Sequence, residues 1–118
     1  MTTEDDMSAV FQALSHGVRR GILDVLVVRP GIGVGQLSQG FDVSRIAVMN
    51  HLAVLEDAGL VVSEKDGRVR RLYFNAAPLQ MINDRWLDSM SKHWARTMTG
   101  IKYAAEAAHE RSKRGQGE

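Results

Sequence analysis

The sequence predicts a mostly α-helical fold that carries one small β-hairpin. Three observations predict this fold class. Apolar residues recur at helical spacing over most of the chain, and Asp66-Gly67 separates two short segments of strand-like composition. The chain has 118 residues, which suffices for one compact core but is short for two. We therefore expect a single domain, in which several short helices precede the hairpin and one long helix follows it.

The first two helices are predicted on either side of Ser15. Asp5 or Asp6 can cap the first helix. The second helix runs from His16 to Val28 and ends at Arg29-Pro30-Gly31, because proline disrupts a helix interior. Helical spacing selects as apolar positions Val10, Phe11, Leu14, Val18, Ile22, Val25 and Leu26, and places outward Arg19, Arg20 and Asp24.

Two further helices are separated by a tight turn at residues 40–43. The first is small, from Val34 to Gln39, and follows a link with one short strand at Ile32. The second runs from Ser44, a preferred N-cap residue, to Ala58, and Gly59 is the residue type that ends a helix in the left-handed conformation. Its inward stripe is Val48, Leu52 and Leu55, and its outward residues are Arg45, Ile46, Met49, Asn50 and Ala53.

A basic hairpin follows this helix. The segments Leu60–Glu64 and Arg68–Asn75 flank the turn Lys65-Asp66-Gly67. Two-residue alternation then predicts that Arg68 and Arg70 share one face of the second strand.

The last helix is predicted over residues 79–110, because Pro78 suits a first helical turn. It contains two series of residues seven apart, the pattern of paired helices. The first series is Leu87, Trp94, Ile101 and Ala108, and the second is Met90, Thr97 and Ala104. A helix of about 45 Å would overhang a domain whose radius of gyration is about 13 Å. We therefore expect part of it to pack on a second copy, and we expect residues 111–118 to form a basic flexible tail.

Composition excludes several classes of protein. The absence of cysteine excludes disulfide scaffolds, thiolate metal sites and cysteine nucleophiles. No apolar run approaches the roughly 20 residues that span a bilayer, and the first residues are acidic where a signal peptide is basic. We therefore expect a cytoplasmic protein with no membrane partner. No catalytic constellation occurs within one element, which predicts that the chain is not an enzyme.

The order of the elements is typical of a winged helix-turn-helix, whose second helix enters the major groove of DNA. A short helix, a tight turn, a capped amphipathic helix and a basic hairpin follow one another within residues 7–75. Several segments also carry a family likeness, namely Ala13-Leu-Ser-His-Gly-Val-Arg-Arg-Gly-Ile-Leu23, Gln36-Leu37, Ser44, His51-Leu52, Leu55-Glu-Asp-Ala-Gly-Leu-Val61 and Gly67-Arg68. With these segments the chain resembles ArsR/SmtB-type transcriptional repressors over residues 7–110. The last two segments also recur in related winged-helix families such as the PadR type.

This resemblance implies a homodimer that binds double-stranded DNA at an inverted-repeat operator and is released by an effector. The first and last helices would form the dimer, with contacts from Phe11, Leu14, Leu87, Met90, Trp94 and Ile101. Asp42 stands where the family's turn usually has Gly, and Asp tolerates the left-handed conformation. Met49 and Asn50 stand where the family often has Ser and Arg, so we expect an operator sequence particular to this protein.

Candidates for base contact lie on the outward face of the helix 44–58. Arg45 can bond guanine through two hydrogen bonds, and Asn50 suits adenine. Ile46 or Met49 can meet the methyl group of thymine. These residue types predict sequence-specific contacts in the major groove.

Candidates for contact with the DNA backbone surround this face. Ser44 and nearby backbone N–H groups can hold a phosphate. On the hairpin, the pair Arg68 and Arg70 is expected to meet phosphate or the minor groove. Gln36 can contact the DNA backbone or serve as a capping or exposed residue. His51 shares the stripe of inward residues, so both core packing and a phosphate contact stay open for it.

No metal cofactor is expected. The family's site on the last helix needs an Asp-x-His pair, whereas Asp88 and His93 are five apart and lie on different faces. Glu106 and His109, three apart, form at most half a site. The large side chains of this helix suit packing, and they also motivate the hypothesis of a small apolar effector; they are Trp86, Met90, Trp94, Met98 and Tyr103.

Three alternatives stay open at this point. One is a winged-helix module that binds protein through its last helix instead of DNA. Another is a PadR-like regulator that responds to a small apolar ligand. The third is a regulator without an effector, controlled by its own abundance or oligomerisation.

Overall fold

The computed structural model describes the backbone of residues 3–116, and their side chains except those of residues 88, 89, 91, 92 and 112–116. The helices are α1 (Glu4–Leu14), α2 (Gly17–Val28), α3 (Val34–Gln39), α4 (Arg45–Asp57), α5 (Ala77–Trp86) and α6 (Asp88–Gln116). The strands are β1 (Ile32–Gly33), β2 (Val61–Asp66) and β3 (Val69–Phe74). This mostly helical architecture with one small antiparallel sheet confirms the predicted fold class.

The described residues divide into two compact units between Ile82 and Asn83. The first unit contains α1 to α4, the sheet and most of α5. Its core combines apolar side chains of α1 to α4 with those of the sheet, and the largest fully buried members are Ile22, Leu26, Leu37, Val48, Leu52, Leu55, Leu60 and Leu72. The second unit contains the end of α5 and all of α6.

Thr3 caps α1, so the prediction of a cap at Asp5 or Asp6 is wrong. The Thr3 hydroxyl accepts from the Asp6 N–H at 3.1 Å, and the Thr3 N–H donates to Asp6 Oδ2 at 3.1 Å. Asp6 is thus the reciprocal partner in a capping box, and hydrogen bonding from the Thr3 backbone N–H and side chain lowers the pKa of the Asp6 carboxyl group. The buried stripe of α1 is Met7, Val10 and Ala13, and Phe11 is exposed.

His16 caps α2, and its Nδ1 accepts from the Val18 N–H at 3.2 Å. The predicted stop after Val28 is confirmed. The outward placement of Arg19 is wrong, because this side chain is half-buried and reaches back to the end of α1. Its guanidinium offers hydrogen-bond donors where the last carbonyl groups of α1 have no partner within the helix.

The predicted ends of α4 are confirmed. The Ser44 hydroxyl accepts from the Ala47 N–H at 3.1 Å. At the other end, Gly59 has a φ of +79°, and the Leu60 N–H donates to the Leu55 carbonyl at 2.9 Å. This is a Schellman motif, which lets the chain leave the helix and enter β2 directly. No described residue other than glycine has a positive φ, so the turn before α4 does not need Asp42 in a left-handed conformation.

The hairpin is present, but its turn lies later in the chain than predicted. β2 and β3 pair from Val61 opposite Phe74 to Asp66 opposite Val69, so the turn consists of Gly67 and Arg68. Gly67 has a φ of +61°, as the first residue of a tight two-residue turn often requires. β1 pairs with the other edge of β3, which gives the sheet order β1-β3-β2. We refer below to β2, this turn and β3 as the wing.

The predicted last helix is two helices. α5 ends at Trp86 and α6 begins at Asp88, and the N–H of Leu87 between them donates to the Asn83 carbonyl at 2.7 Å. The seven-residue series that predicted one helix starts at this break, so it belongs essentially to α6. The helical backbone continues to Gln116 through most of the predicted tail, and residues 117 and 118 lie outside the described residues. No described helix is both long and apolar enough to cross a membrane.

Candidate nucleic-acid interface

The outer face of α4 exposes the residues predicted to contact bases. Arg45, Ile46, Met49 and Asn50 are all exposed, and Ile46 exposes 74% of its surface. The inward stripe of the same helix is completely buried. The apolar stripe therefore fixes the helix on the core, and the opposite face is presented to solvent.

A groove of about 540 Å³ lies among the start of α3, the start of α4 and the wing. We call it the wing groove, and its side chains with polar or charged ends are Gln36, Arg45, Arg68, Arg70 and Arg71. Met49 also lines it. The structure thus brings together five of the residues predicted to contact DNA. The other four, Ser44, Ile46, Asn50 and His51, are not part of its lining.

Arg45 lies close to the start of α3. A Cβ atom placed on Gly35 would lie 3.8 Å from both terminal nitrogen atoms of the Arg45 guanidinium. A glycine next to this position leaves room for the guanidinium. The first residue of α4 is therefore directed toward the wing groove.

The wing arginines differ in their partners. Arg70 forms an ion pair with Glu56 of α4. Arg71 donates to Asp66 at 2.8 Å and to the Gly31 carbonyl at 3.0 Å, and the hydrogen bond with Asp66 raises the pKa of the Arg71 guanidinium. Two of the four groove arginines are thus already neutralised within the chain.

Arg45 and Arg68 form no ion pair with any side chain that the structure describes. The prediction that Arg68 and Arg70 share a strand face is wrong, because Arg68 lies in the turn. Arg70 instead has the strand parity of the fully buried Leu72. Among the four arginines of the wing groove, Arg45 and Arg68 can therefore meet an added anion without first breaking an internal ion pair.

His51 is half-buried on the side of α4 that faces α2. Its Nδ1 lies 3.2 Å from Nη1 of Arg19, and its ring lies 4.4 Å from the ring of His16, centroid to centroid. These contacts support the packing interpretation of His51. A phosphate contact stays a prediction.

Sequence reasoning missed Arg19 and Glu56. Arg19 and His51 are 32 positions apart, and no spacing rule connects residues on different helices at that distance. Glu56 offered a signal, since it is an acidic residue on the helix that precedes a strongly basic hairpin. Opposite charges on neighbouring elements are candidates for a pair.

The predicted dimer residues fall into two groups. In the first unit, Phe11 is exposed, whereas Leu14 is half-buried and packs against the core. In the second unit, all of the predicted side chains are about half exposed in the single chain; they are Leu87, Met90, Trp94 and Ile101. Their role in a dimer stays a prediction.

Within the described side chains, no cluster of three or more His, Asp and Glu residues is arranged to hold a metal ion. Glu106 lies 4.0 Å from Lys102 in an ion pair along α6. The side chain of Asp88 lies outside the described residues. The expectation that the protein takes no metal stays a prediction.

Known proteins are similar to this chain in sequence and in fold. A family model described as a helix-turn-helix domain matches residues 14–64. The HTH-type transcriptional regulator YuzN of Bacillus subtilis (strain 168) is 38% identical over 86 residues, which cover 68% of this chain and 94% of YuzN. Among solved structures, an ArsR-like transcriptional regulator from Rhodococcus sp. RHA1 is 35% identical, with a TM-score of 0.64, and the match covers 87% of this chain and 93% of that chain.

The chain belongs to the ArsR-type family. The resemblance predicted from its sequence segments is thereby confirmed, and this ArsR-type protein is a DNA-binding transcriptional regulator and not an enzyme. Among its relatives, the transcriptional repressor SdpR of Bacillus subtilis (strain 168) is 31% identical over 75 residues, which cover 63% of this chain and 81% of SdpR.

Proposed function

We propose that this ArsR-type regulator is a cytoplasmic homodimer that represses transcription by binding an inverted-repeat operator through α4 and the wing. The observation that carries the proposal is the wing groove. It places Arg45 of α4 and Arg68 of the wing, both without an ion-pair partner among the described residues, around one concave surface. Two arginines around such a surface can contact the phosphates and base edges of duplex DNA.

Base recognition is assigned to the outer face of α4. This face lies on an α-helix, and an α-helix has a width that the major groove of DNA admits. The helix begins at an N-terminus capped by Ser44. Arg45 is assigned to guanine and Asn50 to adenine, each good bidentate pair contributing about 1–3 kcal/mol of discrimination. Ile46, which is largely exposed, is suited to a thymine methyl group.

Affinity independent of sequence is assigned to the wing. Arg68 lies in the two-residue turn at its tip, where an arginine can reach a phosphate beyond the major groove. Arg70 and Arg71 are assigned a different role, because their ion pairs with Glu56 and Asp66 fix the wing's own geometry.

Dimer formation is assigned to α6 together with α1. The two series of residues seven apart give α6 an apolar stripe of the kind that pairs with a second helix, and Trp94 and Ile101 are more than half exposed in the single chain. SdpR, a relative, is named a transcriptional repressor, which supports repression as the outcome of binding. Titration of the protein with metal ions and with small apolar ligands tests two further expectations, that it takes no metal and that it responds to an apolar effector.

The experiment that tests this proposal is selection of bound sequences from a pool of randomised duplexes. We expect an enriched inverted repeat, whose half-sites are about one helical turn apart. Arg45→Ala should weaken binding to the enriched duplex about tenfold or more, and Arg68→Ala should weaken binding to all duplexes and lower the salt slope by about one.

Arg29→Ala is the matched control, because it removes the same charge from an exposed residue outside the wing groove. It should bind much more like the unaltered protein than either groove variant does. If the pool yields no enrichment and binds weakly at low salt, the proposal is wrong. If α6 variants alone abolish the capture of a protein partner while the groove variants change nothing, the alternative of a protein-binding module is favoured, which the exposed stripe of α6 would explain.

A further inference from the structure

The guanidinium of Arg19 joins three helices of the first unit. Its Nε donates to the Ala13 carbonyl at 2.8 Å, and its Nη2 donates to the Gln12 carbonyl at 3.1 Å. These two oxygens belong to the last turn of α1. Its Nη1 lies 3.2 Å from Nδ1 of His51 in the middle of α4. One side chain of α2 therefore connects the end of α1 to the helix that we assign to base recognition.

The contact with Arg19 fixes the protonation state of the His51 ring. Arginine has donors only, so Nδ1 of His51 must accept the hydrogen bond and cannot carry a proton. His16 packs against the same ring at 4.4 Å between centroids. Its own Nδ1 accepts from the Val18 N–H at 3.2 Å as the cap of α2. The His51 ring therefore fits the structure as a neutral imidazole with the proton on Nε2.

We propose that Arg19 is a positioning residue for DNA binding, and that its bridge from α1 to His51 opens when the His51 ring gains a second proton. This inference rests on the proposed function, since the consequence of opening is read out as lost affinity for DNA. A protonated His51 would direct an N–H at the donor groups of Arg19. The outer face of α4, which carries Asn50 next to His51, would then no longer be held to α1 by this bridge.

The surroundings of His51 favour the neutral ring. Burial lowers the pKa of His51, and electrostatic interactions with His16 and Arg19 lower it further. Both groups come from the start of α2, and α1 contributes the carbonyl oxygens of Gln12 and Ala13 that hold Arg19 in place. α3, which also packs against α4, contains no charged residue. β2 packs against α4 as well, and its charged residues Glu64, Lys65 and Asp66 lie in the exposed part of that strand.

The direction of the pH effect follows from that lowered pKa. An unfolded histidine titrates near about pH 6.5, so the neutral ring contributes its full stabilisation above that value. The stabilisation is lost as the pH falls through the lower pKa of the folded protein. A general gain of positive charge on acidification acts in the opposite direction, because it strengthens binding to a polyanion. A loss of DNA affinity on acidification is therefore diagnostic.

The test measures affinity for the duplex enriched from the randomised pool, between about pH 8 and about pH 5.5 at constant salt. For the unaltered protein we expect affinity to fall by about tenfold per pH unit once the pH is below the pKa of His51, because the His51 ring must then lose one proton before DNA binds. His51→Gln keeps a hydrogen-bond acceptor but does not titrate, so its affinity should lose most of this pH dependence. His16→Asn keeps a capping side chain for α2 and tests whether the pH dependence needs the ring that packs against His51.

A second pair of variants tests the bridge at high pH. Arg19→Lys keeps the charge but cannot reach three acceptors in the geometry of a guanidinium, and we expect it to bind about tenfold more weakly near pH 8. Arg20→Lys is the matched control, because Arg20 also donates to the end of α1, at 2.7 Å from the Leu14 carbonyl, but has no recorded contact with His51. We expect Arg20→Lys to keep nearly full affinity.

Folding is monitored by thermal melting of each variant, and the state of His51 is read by NMR of its ring nitrogens. Binding of the enriched duplex should lower the pKa of His51 further, because linkage is reciprocal. A pH profile of the unaltered protein that is flat or rises on acidification overturns the inference, as does equal affinity of Arg19→Lys and Arg20→Lys. Failure of the unaltered protein to bind any duplex near pH 8 removes the proposed function itself, and the inference with it.

Discussion

The two units of this ArsR-type regulator use their apolar residues in opposite ways. In the first unit, apolar side chains from four helices and the sheet close one core, and those of Val48, Leu52 and Leu55 are completely buried. In the second unit, the described apolar side chains of α6 are about half exposed in the single chain, Trp94 at 53% and Ile101 at 56%. The first unit closes a buried core within one chain, whereas the stripe of α6 calls for another surface.

Truncation of the core should produce the largest effect. Leu52→Ala removes a completely buried side chain and should lower the free energy of unfolding by about 2–5 kcal/mol. Met98→Ala removes a side chain of similar size from the exposed surface of α6, and it should change the same quantity by less than about 1 kcal/mol. Urea denaturation followed by circular dichroism compares the two. Similar losses in both variants would contradict the contrast between the units.

A charge placed in the apolar stripe of α6 should produce the second largest effect, a weaker dimer. Ile101→Glu places two carboxylates at the interface of a symmetric dimer, and it should raise the dimer dissociation constant by about a hundredfold or more. Tyr103→Glu changes a more exposed residue outside the two seven-residue series and should leave the dimer largely intact. Sedimentation at micromolar concentration distinguishes the outcomes. If both variants sediment alike, the stripe does not form the dimer.

Substitution of one glycine in each unit tests how the two backbones differ. Gly59→Ala forces a side chain into a φ of +79° and should destabilise the protein by roughly 1 kcal/mol. Gly100→Ala lies inside α6, where an added Cβ meets no atom within 4 Å, and it should increase helix stability by about 0.5–1 kcal/mol. Thermal melting shows the signs of both changes. Stabilisation by Gly59→Ala would refute the role of the Schellman motif.

Substitution of the wing arginines should produce the smallest change in stability. It also tests whether Arg70 stabilises the wing and Arg68 binds DNA. Arg70→Ala breaks the partly exposed pair with Glu56 and should cost less than about 1 kcal/mol of stability. Arg68→Ala should cost no stability but should weaken DNA binding. Parallel melting and binding measurements separate the two. A larger loss of affinity for Arg70→Ala than for Arg68→Ala would reverse their assignment.

Local rules predicted much of the first unit from its sequence. Helical spacing located α2, α3 and α4, and the residue types at Ser44 and Gly59 marked both ends of α4 because caps depend on neighbouring residues alone. The hairpin signal was correct, but the register was not. Its turn depends on how Asp66 pairs with Val69 across the sheet, and composition does not encode this pairing directly.

Contacts between elements could not be predicted in the same way. The bridge from Arg19 to His51 and the pair between Arg70 and Glu56 join residues that only the tertiary fold brings together. The break at Leu87 was missed because the apolar series that begins there continues with regular spacing. For the candidate site, the sequence identified five of the residues that line the wing groove, and the structure divided the groove arginines into paired and unpaired ones.

Hydroxyl-radical footprinting on a duplex enriched from the randomised pool tests the central claim most directly. If α4 and the wing of two subunits grip the DNA, the cleavage pattern should show two protected patches related by twofold symmetry and about one helical turn apart. Arg45→Ala should erase both patches at a protein concentration where Arg29→Ala preserves them. Unprotected DNA, or a single asymmetric patch under a dimeric protein, would contradict the claim.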